Sequence, residues 1–94
     1  MAGEVEFDAA MRESLKKLED DTNAYLTGGK ALSTQEALDL TFRLVGADRC
    51  LRGQGFPKAL VTAAACQSAV IRVTIKMAED LSGGLGEAMK EILQ

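Results

Sequence analysis

Apolar residues recur every three or four positions along the first quarter of the chain, and this is the period of an amphipathic α-helix. We expect one helix over about residues 5–26, with charged residues on its other face. The turn Thr27-Gly28-Gly29-Lys30 should end it, because glycine adopts the left-handed conformation of a helix end at no steric cost. The apolar stripe of this helix consists of Phe7, Met11, Leu15, Leu18, Thr22 and Tyr25.

A capping box predicts where the second helix begins. In Ser33-Thr34-Gln35-Glu36 the serine hydroxyl can accept from the Glu36 amide, while the Glu36 side chain reaches back to the Ser33 amide. We therefore place a helix over residues 33–52, and we expect Gly53-Gln54-Gly55 to close it.

Pro57 suits the first position of a third helix, since its missing amide hydrogen would have no partner there. We predict this helix over residues 57–81, ended by Ser82-Gly83-Gly84. A short amphipathic helix over 85–94 should follow, which would be marginal in isolation and must dock on something.

These elements predict the fold class. The chain should be an all-α single domain spanning residues 1–94, a small antiparallel bundle or hairpin of three long helices plus a short C-terminal helix. Three phenylalanines, one tyrosine and no tryptophan disfavour a sheet, which would want more aromatic residues.

The third helix is apolar around most of its circumference, so it needs cover on more than one side. Ninety-four residues supply few other helices to provide that cover, and a surplus apolar face commonly meets a second copy of the chain. We therefore expect a helical homo-oligomer. The predicted interface comprises Leu60, Ala63, Ala64, Val70, Ile71, Met77, Met89 and Ile92.

One corner of the predicted bundle has the chemistry of an anion site. Two arginines, a glycine turn and a helix N-terminus meet there, and such groups bind phosphates and carboxylates. The alternative is a helix corner whose arginines are simply solvated. The candidate anion-binding residues are Arg49, Arg52, Gly53, Gly55 and Lys58.

Composition argues against several functional classes. The net charge of −3 disfavours nucleic-acid binding, which needs a basic face. The chain has no histidine, and its two cysteines, Cys50 and Cys66, lack metal-ligand spacing. We expect no metal, no cofactor and no catalytic residue, because no pair of nucleophile and base can be named.

Localisation is an expectation of the same kind. The acidic first residues lack the apolar core of a signal peptide. The weakly polar run at 59–71 is too short to span a bilayer. We therefore expect a cytoplasmic protein with reduced thiols that does not enter a membrane.

The function predicted from sequence is a non-enzymatic protein-interaction module, such as an adaptor, a chaperone-like subunit or a small inhibitor, with itself or another protein as partner. The alternative is a small-ligand binder that holds a nucleotide or another anion at the Arg49–Lys58 corner. A weak nucleic-acid-associated regulator is a second alternative. Replacing Arg49 and Arg52 with alanine would separate the first two classes, because only the ligand binder needs them.

Overall fold

The computed structural model describes residues 6–93, and for residues 84–91 and Leu93 it describes the backbone alone. Three α-helices make up this part of the chain, and it contains no strand. They are α1 (Ala9–Leu26), α2 (Thr34–Gln54) and α3 (Pro57–Leu93). The predicted all-α fold is therefore confirmed.

Helix α1 begins where a side chain replaces the missing backbone partner. The Asp8 carboxylate accepts from the amide of Met11 at 2.8 Å, and an aspartate at this position is a common helix start. The predicted start near residue 5 is wrong, because the described residues 6–8 precede the helix and α1 begins at Ala9. Residue 5 itself lies outside the described residues. At the other end Gly28 has φ 80°, and the amide of Lys30 donates to the Ala24 carbonyl at 2.9 Å, as predicted for a glycine turn.

The predicted capping box at the start of α2 is present. The Glu36 amide donates to Ser33 Oγ at 3.2 Å, and the Ser33 amide donates to Glu36 Oε1 at 3.0 Å. At the far end Gly55 alone leaves the helix, with φ 73°. Gly53 and Gln54 belong to α2, which corrects the predicted end at residue 52.

A separate fourth helix over 85–94 is not observed. Helix α3 continues without a break through Ser82, Gly83 and Gly84 to Leu93. Among the described glycines only Gly28 and Gly55 have a positive φ. Glycine permits a helix to end but does not require it, and nothing packs against Gly83 to force a turn.

The hydrophobic core forms two neighbouring clusters along the bundle. The first contains Leu18, Tyr25, Ala37, Leu40, Leu44 and Val73. The second contains Phe7, Leu51, Ala59, Ala63 and Cys66, and its Phe7 ring lies 5.3 Å from the Phe56 ring. All three helices contribute to each cluster or flank it, so the predicted apolar stripe of α1 does face the core.

Contacts at both ends of α1 give its direction. Glu6 and Phe7 lie beside Lys58 and Phe56 at the start of α3, whereas the Tyr25 hydroxyl meets Asp80 much further along. Helices α1 and α3 are therefore parallel, and α2 runs antiparallel to both. Helix α3 has 37 residues and α2 has 21, so α3 extends about 24 Å past its partner at 1.5 Å per residue.

Candidate functional site

The predicted anion corner is occupied by internal contacts. Arg52 Nε donates to Asp48 Oδ1 at 2.7 Å, and Arg52 Nη2 donates to Gln67 Oε1 at 2.9 Å. Because Arg52 and Asp48 are on α2 and Gln67 is on α3, the hydrogen bond to Gln67 joins the two helices. The Nε and Nη2 of Arg52 are thereby engaged by the protein itself, although the side chain stays about half exposed.

Lys58 is engaged in a similar way. Its Nζ donates to the two carboxylate oxygens of Glu6 at 2.9 and 2.6 Å. Arg49 is exposed, Gly53 is inside α2, and Gly55 forms the left-handed turn. The five residues predicted for this site are close together along the chain, but Arg52 and Lys58 are each paired with a carboxylate of the protein. Anion binding here stays a prediction.

The predicted interface residues divide into two groups. Ala63 is buried, and Val70 and Met77 are half-buried, so they pack within the chain against α2 and the core. Leu60 and Ile71 are about half exposed, and Ala64 is exposed as well. Ile92 is 75% exposed on the extension of α3. The side chain of Met89 lies outside the described residues.

Three of the exposed members share one face of α3 with two exposed residues that were not predicted. We call this row the outer stripe, defined as Leu60, Ala64, Ile71, Ile75 and Ala78. Spacings of three, four and seven residues place them on one face of the helix. Ile71 is 57% exposed and Ile75 is 53% exposed. The five members of the stripe are uncharged, and the polar Gln67 and Ser68 lie between Ala64 and Ile71. Sequence reasoning named part of the stripe but omitted Ile75, although its helical spacing from Ile71 was a sufficient signal.

Phe42 on α2 is a further exposed aromatic side chain, 68% accessible. Leu38, one turn earlier on the same helix, is also at the surface. Large apolar side chains are thus exposed on both members of the α2–α3 pair. Several large apolar side chains at the surface mark contact sites more often than a single exposed leucine does.

A groove of about 630 Å³ lies between α1 and α3, and no pattern in the sequence indicates it. We call it the α1–α3 groove. Its inner part is formed by Leu15, Leu18, Leu44, Cys66 and Ala69, and its rim carries Arg12, Lys16, Glu19, Lys58 and Arg72. Its volume falls within the usual range for binding sites, and the combination of apolar lining and a few charged groups is typical of them.

The rim of the α1–α3 groove is positive in a chain whose net charge is −3. It has four cationic side chains and one carboxylate. Lys58 is paired with Glu6, and Lys16 lies 3.6 Å from Asp20. Among the side chains that the structure describes, Arg12 and Arg72 form no ion pair.

Cys66 lies at the inner end of this groove and is 7% exposed. Burial raises the pKa of its thiol, with a further contribution from the negative charge of Asp48. A raised pKa keeps the thiol protonated and therefore weakly nucleophilic at neutral pH. Cys50, by contrast, is exposed on α2. Cys66 therefore has the environment of a packing residue rather than a nucleophile.

A metal site and a membrane-spanning helix are two other possibilities that the described residues address. No group of three or more cysteine, aspartate or glutamate side chains among them could hold a metal ion. Pro57–Gly83 is long and apolar enough to cross a bilayer by length and composition, with a mean hydropathy of 1.3. A mostly buried core helix of a soluble protein meets the same criterion, whereas 17% of the most apolar window is buried here. The expectation of no membrane contact stays a prediction.

Both candidate surfaces arise from the arrangement of the helices and carry no motif. The outer stripe is apolar and neutral, whereas the α1–α3 groove is apolar inside and cationic at its rim. Searches with this sequence and structure found no matching family model, no matching curated protein and no matching solved structure.

Proposed function

We propose that this protein is a non-enzymatic helical interaction module that associates with a second copy of itself through the outer stripe of α3. The observation that carries the proposal is the exposure of large apolar side chains along one helix face, with Leu60, Ile71 and Ile75 each about half accessible. Burial of apolar surface is the main driving force for association.

Neutrality of the stripe favours a second copy as the partner. When two identical surfaces meet across a twofold axis, every charge faces a surface that carries the same charges. A charged stripe would therefore create like-charge contacts, but this stripe contains none. The exposed Ala64 and Ala78 have small side chains, which allow the two α3 helices to approach closely.

The two isoleucines of the stripe supply only part of the free energy that a dimer needs, since about 4 kcal/mol alone corresponds to a dissociation constant of about 1 mM. Full burial of an isoleucine contributes about 1.5–3 kcal/mol, so completing the burial of Ile71 and Ile75, each about half exposed, contributes roughly 1 kcal/mol per side chain. Two copies supply four such side chains, or about 4 kcal/mol in total. Leu60, which is 47% exposed, adds further apolar surface to the same contact.

Sedimentation velocity over a wide concentration range tests this proposal. The wild-type protein should sediment as a dimer or larger species, whereas Ile71→Glu and Ile75→Glu should be monomers with unchanged helical circular dichroism. Ala10→Glu, which adds the same charge at an exposed position on α1, is the matched control and should associate like the wild type.

A wild-type protein that stays monomeric at every concentration would contradict the proposal. So would dissociation caused equally by Ala10→Glu. Vesicles of neutral phosphatidylcholine provide a further arm of the experiment. If the outer stripe binds these vesicles and does not form an oligomer, its partner is a lipid surface and the proposal is wrong.

A further inference from the structure

The α1–α3 groove occupies the position of a missing helix. In an up-down-up-down bundle the first and third helices are parallel and lie diagonally, with the second and fourth helices on either side of them. Here α1 and α3 are parallel and α2 fills one side. The groove lies between α1 and α3 and reaches inward to Leu44 of α2. It is therefore the fourth position of such a bundle.

We propose that the α1–α3 groove binds an amphipathic helix of a partner protein, one whose apolar stripe is flanked by acidic residues. This surface is separate from the outer stripe, so the inference goes beyond the proposed self-association. Recognition of a helix in an apolar groove is a common mode of protein binding. The class of partner follows from the groove's length, lining and charge.

Length and lining fit a helix. From Lys58 to Arg72 the α3 wall rises by 14 residues, and the α1 wall from Arg12 to Leu26 rises by the same number. Each wall is thus about 21 Å long, which matches about four turns of a helix. Ala65 and Ala69 are the small residues on the α3 wall, and they allow a helix axis to lie close.

Charge determines the chemistry of the partner. Arg12 and Arg72 belong to opposite walls, and both are exposed. Neither has an ion-pair partner within the described part of the chain. A carboxylate on each side of an incoming helix would pair with one of them and fix its orientation. A second copy of the groove is a poor partner, because it would bring its own Arg12 and Arg72 and no matching pair of carboxylates.

The extension of α3 does not suit the groove of a second copy in a closed dimer. Leu81 and Ile92 are exposed on this extension, and Leu81 follows Ala63 by 18 residues, or about five full turns. Leu81 thus shares the side of α3 that faces the core, nearly opposite Ala65 in the groove wall. If straight α3 helices exchanged their extensions, each helix would contact one neighbour on the side of Leu81 and another on the opposite side, at its groove. The subunits would then form an open chain and not a closed dimer.

Two synthetic helical peptides provide the test, each about 18 residues long and therefore long enough to span the groove at 1.5 Å per residue. Both have a leucine and alanine stripe. One carries glutamate at every flanking position and the other carries lysine. Fluorescence anisotropy measures binding of each peptide to the full-length protein, and nuclear magnetic resonance shifts of Leu15, Ala65 and Ala69 report where it binds.

Charge reversal supplies the decisive variants. In the double variant Arg12→Glu with Arg72→Glu, the acidic peptide should bind at least about tenfold more weakly, because two attractive pairs become repulsive. The same variant should gain affinity for the lysine peptide. Lys30→Glu with Arg49→Glu is the matched control, since it makes an equal change in net charge at exposed positions outside the groove.

Several results would overturn the inference. Equal binding of the two peptides to the wild type would show that charge plays no role. Unchanged binding in the double variant would show that Arg12 and Arg72 do not contribute. Binding of oleate in the groove without binding of the acidic peptide would identify an acyl chain as the occupant. Ile71→Glu should leave peptide binding unchanged, so failure of self-association and failure of this inference are distinguishable.

Discussion

Tyr25 joins the end of α1 to a distant part of α3, and its removal gives a sharp test of the packing. The side chain is 2% exposed, and its hydroxyl donates to Asp80 Oδ2 at 3.2 Å across 55 residues of sequence. Lys76 Nζ lies 5.1 Å from the centre of the ring and 3.9 Å from Asp80 Oδ1. We expect Tyr25→Phe to break the hydrogen bond and to keep the ring.

The size of the effect follows from the environment of the acceptor. A hydrogen bond to a charged group contributes about 1.5–3 kcal/mol, and a neutral one contributes about 0.5–1.5 kcal/mol. The Asp80 side chain is 55% exposed, so water competes for the carboxylate and the lower range applies. We therefore expect Tyr25→Phe to lower the free energy of unfolding by about 1 kcal/mol at neutral pH.

The pH dependence has a definite sign. Burial raises the pKa of Tyr25 above its ordinary value of 10.0, and the hydrogen bond to Asp80 and the negative charge of Asp80 raise it further. The folded state thus holds the phenolic proton more tightly than the unfolded state does. This contribution to stability is complete below pH 10 and is lost as the pH rises through the folded-state pKa.

Urea denaturation followed by circular dichroism measures both effects. Tyr25 is the chain's single tyrosine, so ultraviolet absorbance of the phenolate reports its ionisation directly. The difference in stability between wild type and Tyr25→Phe should shrink as the pH rises above 10. A difference that stays constant across this range, or a Tyr25 that titrates at its ordinary pKa, would show that the hydrogen bond to Asp80 does not stabilise the fold in this way.

Three further predictions concern two glycines and the thiols. Gly55→Ala should lower the free energy of unfolding by about 1 kcal/mol, because the φ of Gly55 is 73°. Gly83→Ala should slow amide exchange in α3, since alanine favours a helix over glycine by about 0.5–1 kcal/mol and its Cβ would meet no other atom. Faster exchange after Gly83→Ala would be inconsistent with a continuous helix. The exposed Cys50 should react with a thiol reagent well before Cys66, because burial and a raised pKa slow the labelling of Cys66. Equal rates would argue against the packing around Cys66.

Sequence reasoning succeeded where a local rule determines the backbone. The Ser33–Glu36 capping box and the glycine turns at Gly28 and Gly55 depend on residues that lie within a few positions of one another. The apolar stripe of α1 depends on the 3.6-residue period alone. Such features are decided before the helices pack, so one sequence is enough to find them.

The same reasoning failed where a residue allows more than one conformation. Gly83 and Gly84 were expected to end α3, but both remain helical. Asp8 at the start of α1 was missed, although aspartate is a favoured helix cap. The α1–α3 groove lay beyond this method, because it depends on how far apart two parallel helices lie. The sequence pattern shows which face of a helix is apolar but not the spacing between helices.

The short connection at Gly55 has a consequence for the order of folding. Helices α2 and α3 are joined by Gly55 and Phe56 alone, so their pairing closes only a small loop and costs little chain entropy. Docking of α1 brings together residues more distant in sequence, such as Tyr25 and Asp80. Proteins rich in local contacts fold quickly. The α2–α3 hairpin should therefore form the folding nucleus, and α1 should join it last and detach from it first.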